Sequence, residues 1–493
     1  MLNWRQIIRI IGQLLHIEAA LLLITMTVAV CYSESAIPFL IPAILSIFLG
    51  LLGNYLGRGA DPAMGRREGY FIVSVIWIIY TLIGMLPFIL TGSTQYLSDA
   101  FFETMSGFTS TGATIFPHID PLSHGILFWR SMTQWVGGIG IIFFTIAILP
   151  AFGIGEVKLF AAESTGPLHD KVHPKMAIAV RWIAAVYLGL TLLCYLSLLL
   201  CHMTSFDALN IAMATAATGG FAPHSALFSD PATEYVLIIF MFFSGVNYTL
   251  IYYTILKGRI HKFAHDPELG TYLLITLITT LICTLGLYIQ KTDLQLGTPL
   301  PLAEQSFRES LFTIVSMQTT TGFACTDYCQ WPQHLLPIIL FVMFTGACAG
   351  SSSGGFKCIR LTILWRILKS EFTRILHPRA VIPVRLGDTI ITTSVQKTLV
   401  AYVTLFITSL LAGALVLSFF GDQQGHDISQ GEAFSLSIAS LSNIGPTMGQ
   451  YGPTQSWVNL APMAKYVCSF LMLIGRLEIF PILILFTRRF WKE

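Results

Sequence analysis

Asp99-Ala-Phe-Phe-Glu-Thr-Met-Ser-Gly-Phe-Thr-Ser-Thr-Gly112 lies between two apolar runs, at about 70–91 and 124–149. Each run has the roughly 20 apolar residues that a hydrocarbon core about 30 Å thick requires. The stretch between them is too short to cross. At about 1.5 Å per residue it makes a half-helix about 15 Å long that dips into the membrane and returns. The same phrase recurs as Asp207-Ala-Leu-Asn-Ile-Ala-Met-Ala-Thr-Ala-Ala-Thr-Gly219, as Glu309-Ser-Leu-Phe-Thr-Ile-Val-Ser-Met-Gln-Thr-Thr-Thr-Gly322, and as Glu432-Ala-Phe-Ser-Leu-Ser-Ile-Ala-Ser-Leu-Ser-Asn-Ile-Gly445. An acid, a small residue and Phe or Leu open each copy, and a Gly closes it after 13, 12, 13 and 13 residues. Each copy sits between a pair of spans, so four hairpins with a re-entrant half-helix are written in one chain.

Outward from these loops, ten spans are expected, at about 7–30, 38–56, 70–91, 124–149, 177–200, 234–256, 270–290, 335–365, 397–420 and 460–487. The first is too long for a signal-peptide core and reads as a retained span. With 493 residues, 54% hydrophobic and only 11% charged, the chain is too apolar to be a water-soluble monomer. If the N-terminus is cytoplasmic, 23 of the 28 Lys and Arg fall on the inner side, including Lys158, Lys171, Lys175 and eight between Lys357 and Lys397. Only Lys291 and Arg308 fall outside, while Arg130, Lys465 and Arg476 lie within spans. That asymmetry obeys the positive-inside rule with an even span count and both termini inside. The acids run the other way: Glu34, Asp99, Glu103, Asp120, Asp207, Glu309, Asp422 and Glu432 are among those outside. Such a field concentrates cations, although depletion of outer bases accounts for part of it. A net charge of +2 with scattered bases excludes a nucleic-acid binder. Nine Cys form no CxxC pair, and Cys325 and Cys329, in an outer segment, leave a local disulfide open. The outer histidines His118, His124, His202, His224, His334 and His426 read as solvated, not ligating.

The acid of each loop sits where the helix dipole favours negative charge, and the partially negative helix ends would converge inward on a cation. Thr/Ser-rich backbone then runs to a Gly that can take positive φ and turn its carbonyl to the axis. Non-helical backbone at membrane depth must line a cavity or be buried in protein, and a ring of carbonyls replaces a cation's water shell. A helix C-cap also ends in Gly, but four in matching register favour the pore. In the eighth span, Gly346-Ala-Cys-Ala-Gly350-Ser351-Ser352-Ser353-Gly354-Gly355 should break the helix. A nucleotide P-loop is not matched, since Phe356 separates Gly355 from Lys357; a small-residue helix contact is the competing reading. Arg476, placed near the middle of the last span, should face an aqueous path or the bundle interior. Glu478, two residues on, would point elsewhere on a helix.

On Thr-Ser-Thr-Gly-Ala-Thr (109–114), Gln-Trp-Val-Gly-Gly-Ile-Gly (134–140), Ala-Thr-Gly-Gly-Phe (217–221), Thr-Thr-Thr-Gly-Phe-Ala (319–324), the 346–357 string, Asn-Ile-Gly-Pro (443–446) and Gly-Arg-Leu-Glu (475–478), the chain resembles the Trk/Ktr/HKT superfamily of potassium transporters, most closely its bacterial Trk-type uptake subunits. The resemblance covers nearly the whole chain, including the two spans before the first repeat. It implies an all-α polytopic membrane fold with two extra N-terminal helices (1–69) and four pseudo-symmetric pore repeats at 70–155, 156–262, 263–369 and 370–493. It implies a potassium filter at Ser110, Thr111 and Gly112, Thr218 and Gly219, Thr321 and Gly322, and Asn443, Ile444 and Gly445. In plant relatives Ser at the first Gly goes with sodium, so Gly112 implies potassium. Asn443-Ile444 departs from the Thr-Gly pattern of the other loops. The resemblance also implies a gate formed by the 346–355 loop with Lys357, and a charge barrier at Arg476.

Implied too are a homodimer, a cytoplasmic TrkA-type ring that binds NAD(H) or adenine nucleotides, and residence in the bacterial inner membrane. The basic segment from Lys357 to Lys397 fits that ring or anionic lipid equally. Potassium is the expected substrate, with no nucleotide bound by this chain, whose cytoplasmic loops are short. No covalent chemistry is expected. Two rivals remain: a symporter coupled to protons or sodium, for which only Glu478 and Glu18 offer intramembrane carboxyls, and a polytopic membrane enzyme or scaffold.

Overall fold

A computed structural model describes residues 2–61, 65–143, 172–225, 228–258, 260–294, 299–379, 382–387, 389–420 and 427–492. Lys158, Lys171, the end of the fourth span, the first repeat boundary at 155/156, Asp422 and His426 fall outside these, and the Lys175 side chain is likewise not described.

Helices α1 (Trp4–Cys31) and α2 (Ile37–Leu56) form a hairpin. Asn3 starts α1 by accepting the Gln6 N–H at 3.2 Å. The two backbones approach closely because the contact carries Gly12, Gly50 and Gly53: a Cβ on Gly12 would lie 2.8 Å from the Gly50 carbonyl. Small residues allow this approach where lipid offers no hydrophobic drive for helix association.

Four repeats follow. The first is α3 (Arg66–Gly84), half-helix α4 (Leu97–Phe108) and α5 (His124–Phe143). The second is α6 (Val172–Leu200), half-helix α7 (Ser205–Ala216), α8 (Pro231–Ser244) and α9 (Tyr248–Lys257). The third is α10 (Pro267–Asp293), α11 (Pro299–Gln318), α12 (Leu336–Thr345) and α13 (Cys358–Leu376). The fourth is α14 (Thr393–Leu417), half-helix α15 (Gln430–Ser442) and α16 (Pro462–Arg476). A two-residue antiparallel pairing, Arg385 with Ile390, is the sheet structure among the described residues.

Burial is inverted relative to a water-soluble protein. Leu274, Leu277, Leu281 and Leu285 on α10 are exposed, whereas Ser106, Thr215, Ser316 and Ser437 of the half-helices are fully buried. Lipid is as apolar as Leu, so apolar faces gain nothing by turning inward, while hydroxyls and backbone must find partners inside the protein.

Three expected spans are broken. Among the described residues, six helices are long and apolar enough to cross a membrane unbroken. The chain from α8 to α9 bends by 100° at Gly245-Val-Asn247, where Asn247 caps α9 by accepting the Thr249 N–H at 2.9 Å. The 346–357 segment separates α12 from α13, as its Gly and Ser content predicts. After Arg476 the chain bends by 113°, and Glu478 and Ile479 take φ of 59° and 62°. Arg476 therefore ends a helix; it is not at the middle of a continuous one.

The acids need a second correction. Asp99, Asp207 and Glu432 do stand in the first turn of their half-helices, and Ser429 with Glu432 forms a reciprocal cap. Glu309 does not, because α11 starts ten residues earlier at Pro299. Nor is the outer face a bare anionic field. Asp99 pairs with Lys465 at 2.7 Å, Glu103 with Arg130 at 2.8 Å, Glu309 with Lys291 at 2.8 Å and Glu234 with Arg308 at 2.8 Å. Two of those bases come from spans, and their stems carry them to acids on neighbouring elements. His124 and His224 are likewise engaged with carboxylates, at 3.1 Å from Glu34 and Asp120.

Candidate functional site

The four half-helices end alike. The N–H of Thr111, Gly219, Thr321 and Ile444 bonds back to the carbonyl of Ser106, Ala214, Ser316 and Ala439, at 2.8, 2.8, 2.9 and 2.9 Å. This is a Schellman closure, and it needs a left-handed residue just before the donor. Ser110, Thr218, Thr320 and Asn443 fill that place, with φ of 51°, 50°, 58° and 55°. The glycine comes two residues later, so it is not the helix cap. Its own φ is 83° at Gly112, 81° at Gly220, 81° at Gly322 and 94° at Gly445.

The second loop is thus offset by one from its expected register. Gly220, not Gly219, is the counterpart of Gly112, and Gly219 stands in the place of Thr111, Thr321 and Ile444. Asp207 to Gly220 also makes the acid-to-glycine spacing 13 residues in all four copies. The run Gly219-Gly220 hid this, because either residue can close the motif.

The loops interlock in a circle. A Cβ on Gly112 would collide with the Gly219 carbonyl oxygen, one on Gly220 with that of Thr321, and one on Gly322 with that of Ile444. A Cβ on Gly445 would lie 2.6 Å from the Thr111 carbonyl and close the ring. Each glycine is therefore required twice, by its positive φ and by the carbonyl packed against it. All four glycines, with Arg130, Phe221, Phe323 and Pro446, line a cavity of about 130 Å³.

Side chains brace the ring from behind. Thr109 and Thr111 share a hydroxyl bond at 2.8 Å, as do Thr319 and Thr321. Asn443 Nδ2 donates to Thr111 Oγ1 at 3.0 Å and to the Met472 carbonyl at 2.9 Å, which ties the fourth loop to the first. The departure from Thr-Gly in the fourth loop therefore leaves its turn intact. Beyond the glycines, Arg130 donates to Glu103 and to the Ala222 carbonyl at 3.1 Å and lies 4.1 Å from the centre of the Phe221 ring, so its charge is met locally.

Directly inside the ring lies the 346–357 segment. Ser352 Oγ donates to the Ala216 carbonyl at 2.8 Å, the Gly354 N–H donates to Thr320 Oγ1 at 2.8 Å, and a Cβ on Gly354 would collide with the Ser442 carbonyl. These contacts reach the inner ends of the second, third and fourth half-helices. Arg476 completes the circle: Nη1 donates to the Ser352 carbonyl at 2.9 Å, and Nη2 donates to Ser110 Oγ at 3.1 Å and the Gly137 carbonyl at 2.9 Å. Arg476 is 2% exposed, and its Nε has no partner among the described residues.

Arg476 does not pair with Glu478. That carboxylate takes Lys357 at 3.2 Å and Arg360 at 2.6 Å instead, because the chain has already left the helix. The loop is also docked on the break between α8 and α9: Cys348 N–H donates to the Gly245 carbonyl at 3.0 Å, and Tyr248 N–H donates to the Gly350 carbonyl at 3.1 Å. One residue had no signal in the sequence. Glu268 Oε1 accepts the N–H of Ala349 at 2.6 Å and of Ile359 at 3.1 Å, and so fastens both sides of the break in the eighth span.

Cys325 and Cys329 are free thiols. Burial pushes the Cys329 thiol up to about 11, which suppresses the thiolate that disulfide formation needs. Among the described residues no three His, Cys, Asp or Glu converge as metal ligands.

The TrkH family model, a cation transport protein, matches residues 39–492. The chain belongs to the TrkH family. It is 35% identical over 503 residues to the Trk system potassium uptake protein TrkH of Escherichia coli (strain K12), covering 100% of both chains. It is 31% identical over 496 residues to the Trk system potassium uptake protein TrkG of the same strain, covering 99% of both. The crystal structure of the potassium transporter TrkH from Vibrio parahaemolyticus superposes with a TM-score of 0.88 at 33% identity, over 100% of both chains. The TrkH relatives are transporters, and their membrane fold is the one described above.

Proposed function

We propose that this TrkH-family chain is the potassium-translocating pore subunit of a Trk-type uptake system, with Thr111, Gly219, Thr321 and Ile444 presenting the carbonyl ring that selects the ion. The closed interlock of four glycines with four neighbouring carbonyls carries this reading. Potassium is the substrate. It sheds water in the ring because fixed main-chain dipoles replace its hydration shell, and those dipoles do not have to reorganise to do so. The inner loop, Gly346, Gly350, Ser351, Ser352, Ser353, Gly354 and Gly355, with Lys357 holding its end, is the gate. Arg476, beneath the ring, sets an electrostatic barrier to cations.

The setting proposed is the bacterial inner membrane, with both termini cytoplasmic, a homodimer, and a TrkA-type nucleotide-binding ring against the basic segment that follows Lys357. Lipid covers the exposed apolar faces. A coupled symporter is less well supported, since Glu478 is committed to two bases and Glu18 is buried in α1, which packs on α2, α3 and α5, outside the ring. Reversal potentials in liposomes under imposed potassium, sodium and pH gradients test the proposal. A potential set by potassium alone is expected; one that tracks the proton or sodium gradient overturns the channel reading.

A further inference from the structure

Gly219 is the odd member of its layer, for Thr111, Thr321 and Ile444 all carry side chains where it has none. Gln134, from α5, occupies the vacant place: a Cβ on Gly219 would lie 2.5 Å from Gln134 Cδ. The amide brackets Gly220 on both sides. Nε2 donates to the Gly219 carbonyl at 2.6 Å, and Oε1 accepts the Phe221 N–H at 3.1 Å. Its orientation is forced, because a main-chain N–H only donates and a carbonyl only accepts. Gln134 is fully buried, and its own carbonyl accepts Ser110 Oγ from the first loop at 3.2 Å. The Thr111, Thr321 and Ile444 carbonyls receive no such donor among the described residues.

We infer that Gln134 is a positioning residue for ion selection: it supplies from a neighbouring helix the side chain the second loop lacks, and it fixes the direction and strength of the Gly219 carbonyl. The inference rests on the filter reading above. Two planar amide contacts across one left-handed glycine clamp that turn as a strand partner would. An amide donor on the carbonyl also draws off part of its negative field, so one oxygen of the four binds a cation differently from the rest.

The test is the potassium to sodium permeability ratio of purified protein in liposomes, read from reversal potentials. Gln134→Met keeps the volume and loses both bonds, and the ratio should fall by about tenfold, the scale of one lost oriented hydrogen bond. Gly219→Thr alone should fail similarly by collision with Gln134. Gln134→Ala with Gly219→Thr should recover the ratio to within about threefold, because the second loop then carries the Thr of the first and third. Gln134→Leu, which also loses both donor and acceptor, serves if Gln134→Met does not reconstitute, and it too should lower the ratio. A wild-type ratio in Gln134→Met or Gln134→Leu, alongside a collapsed ratio in Gly220→Ala, overturns the role of Gln134 and leaves the filter standing. A wild-type ratio in Gly220→Ala removes the filter reading, and this inference with it.

Discussion

The outer ring is fourfold and the segment beneath it is single. Four loops from distant parts of the chain share one closure, one left-handed residue and one positive-φ glycine. Inside them, one segment from the third repeat touches three half-helix ends, and one arginine from the fourth repeat reaches the remaining loop. A spherical ion is best caged by equivalent oxygens on all sides, which repetition supplies. In the function proposed above, a movable obstruction is better made once, since four moving parts would dismantle the cage they close. The single segment is correspondingly rich in Gly and Ser, which favour helix poorly, and is held by discrete polar contacts, not by a regular ladder.

Each expected outcome below separates the two regions by what it changes. The largest effect falls on the ring. Gly220→Ala imposes a left-handed Cβ, costing about 1–2 kcal/mol before any collision, against the Thr321 carbonyl. Potassium-dependent growth of an uptake-deficient cell should fail, and the permeability ratio should collapse. Normal growth would mean that the loops are not interlocked as described.

Glu268→Ala removes two charge-assisted bonds, each worth about 1.5–3 kcal/mol, from the inner segment. Basal rubidium flux in liposomes should rise severalfold while the permeability ratio stays put. A changed ratio with unchanged flux would place Glu268 with the ring. Arg476→Ala should raise flux by about tenfold, the equivalent of about 1.4 kcal/mol off a barrier. Because Arg476 also bonds Ser110, a small loss of selectivity should accompany it; loss of folded protein instead would make the residue structural.

The smallest effect concerns the outer clasp of His224 with Asp120 and Asp207, each at 3.1 Å. Partial burial disfavours the charged imidazole, but the two carboxylates outweigh it and raise its pKa above the ordinary 6.5. The clasp is therefore complete below about pH 6.5 and fades as pH rises through the raised value. Thermal stability should drop slightly over that window in the wild type and not in His224→Gln. The residue is half exposed, so solvent screening keeps the effect small.

Much of this was legible in residue order. The helical membrane class followed from composition and run length, and the four re-entrant loops from acid-to-glycine phrases that recur at nearly equal spacing. The break at 346–355 was visible because glycines and serines cluster where a helix should run. The break at Gly245-Val-Asn247 was missed inside an otherwise apolar run, although Asn after Gly is a capping signal. Helical spacing separates Arg476 from Glu478, and the structure separates them by ending the helix between the two, with Glu478 at φ 59°.

Sequence alone determined that the chain crosses a membrane and carries four equivalent dipping segments, because hydropathy and local backbone preference act over a few residues and repeat wherever the residues do. Only the tertiary structure decided which of two adjacent glycines takes the left-handed turn, which acids are neutralised, and that Gln134 and Glu268 grip backbone about 85 and 81 residues away. Those outcomes depend on what a packed neighbour offers at a distance of about 3 Å, and linear order does not carry that information.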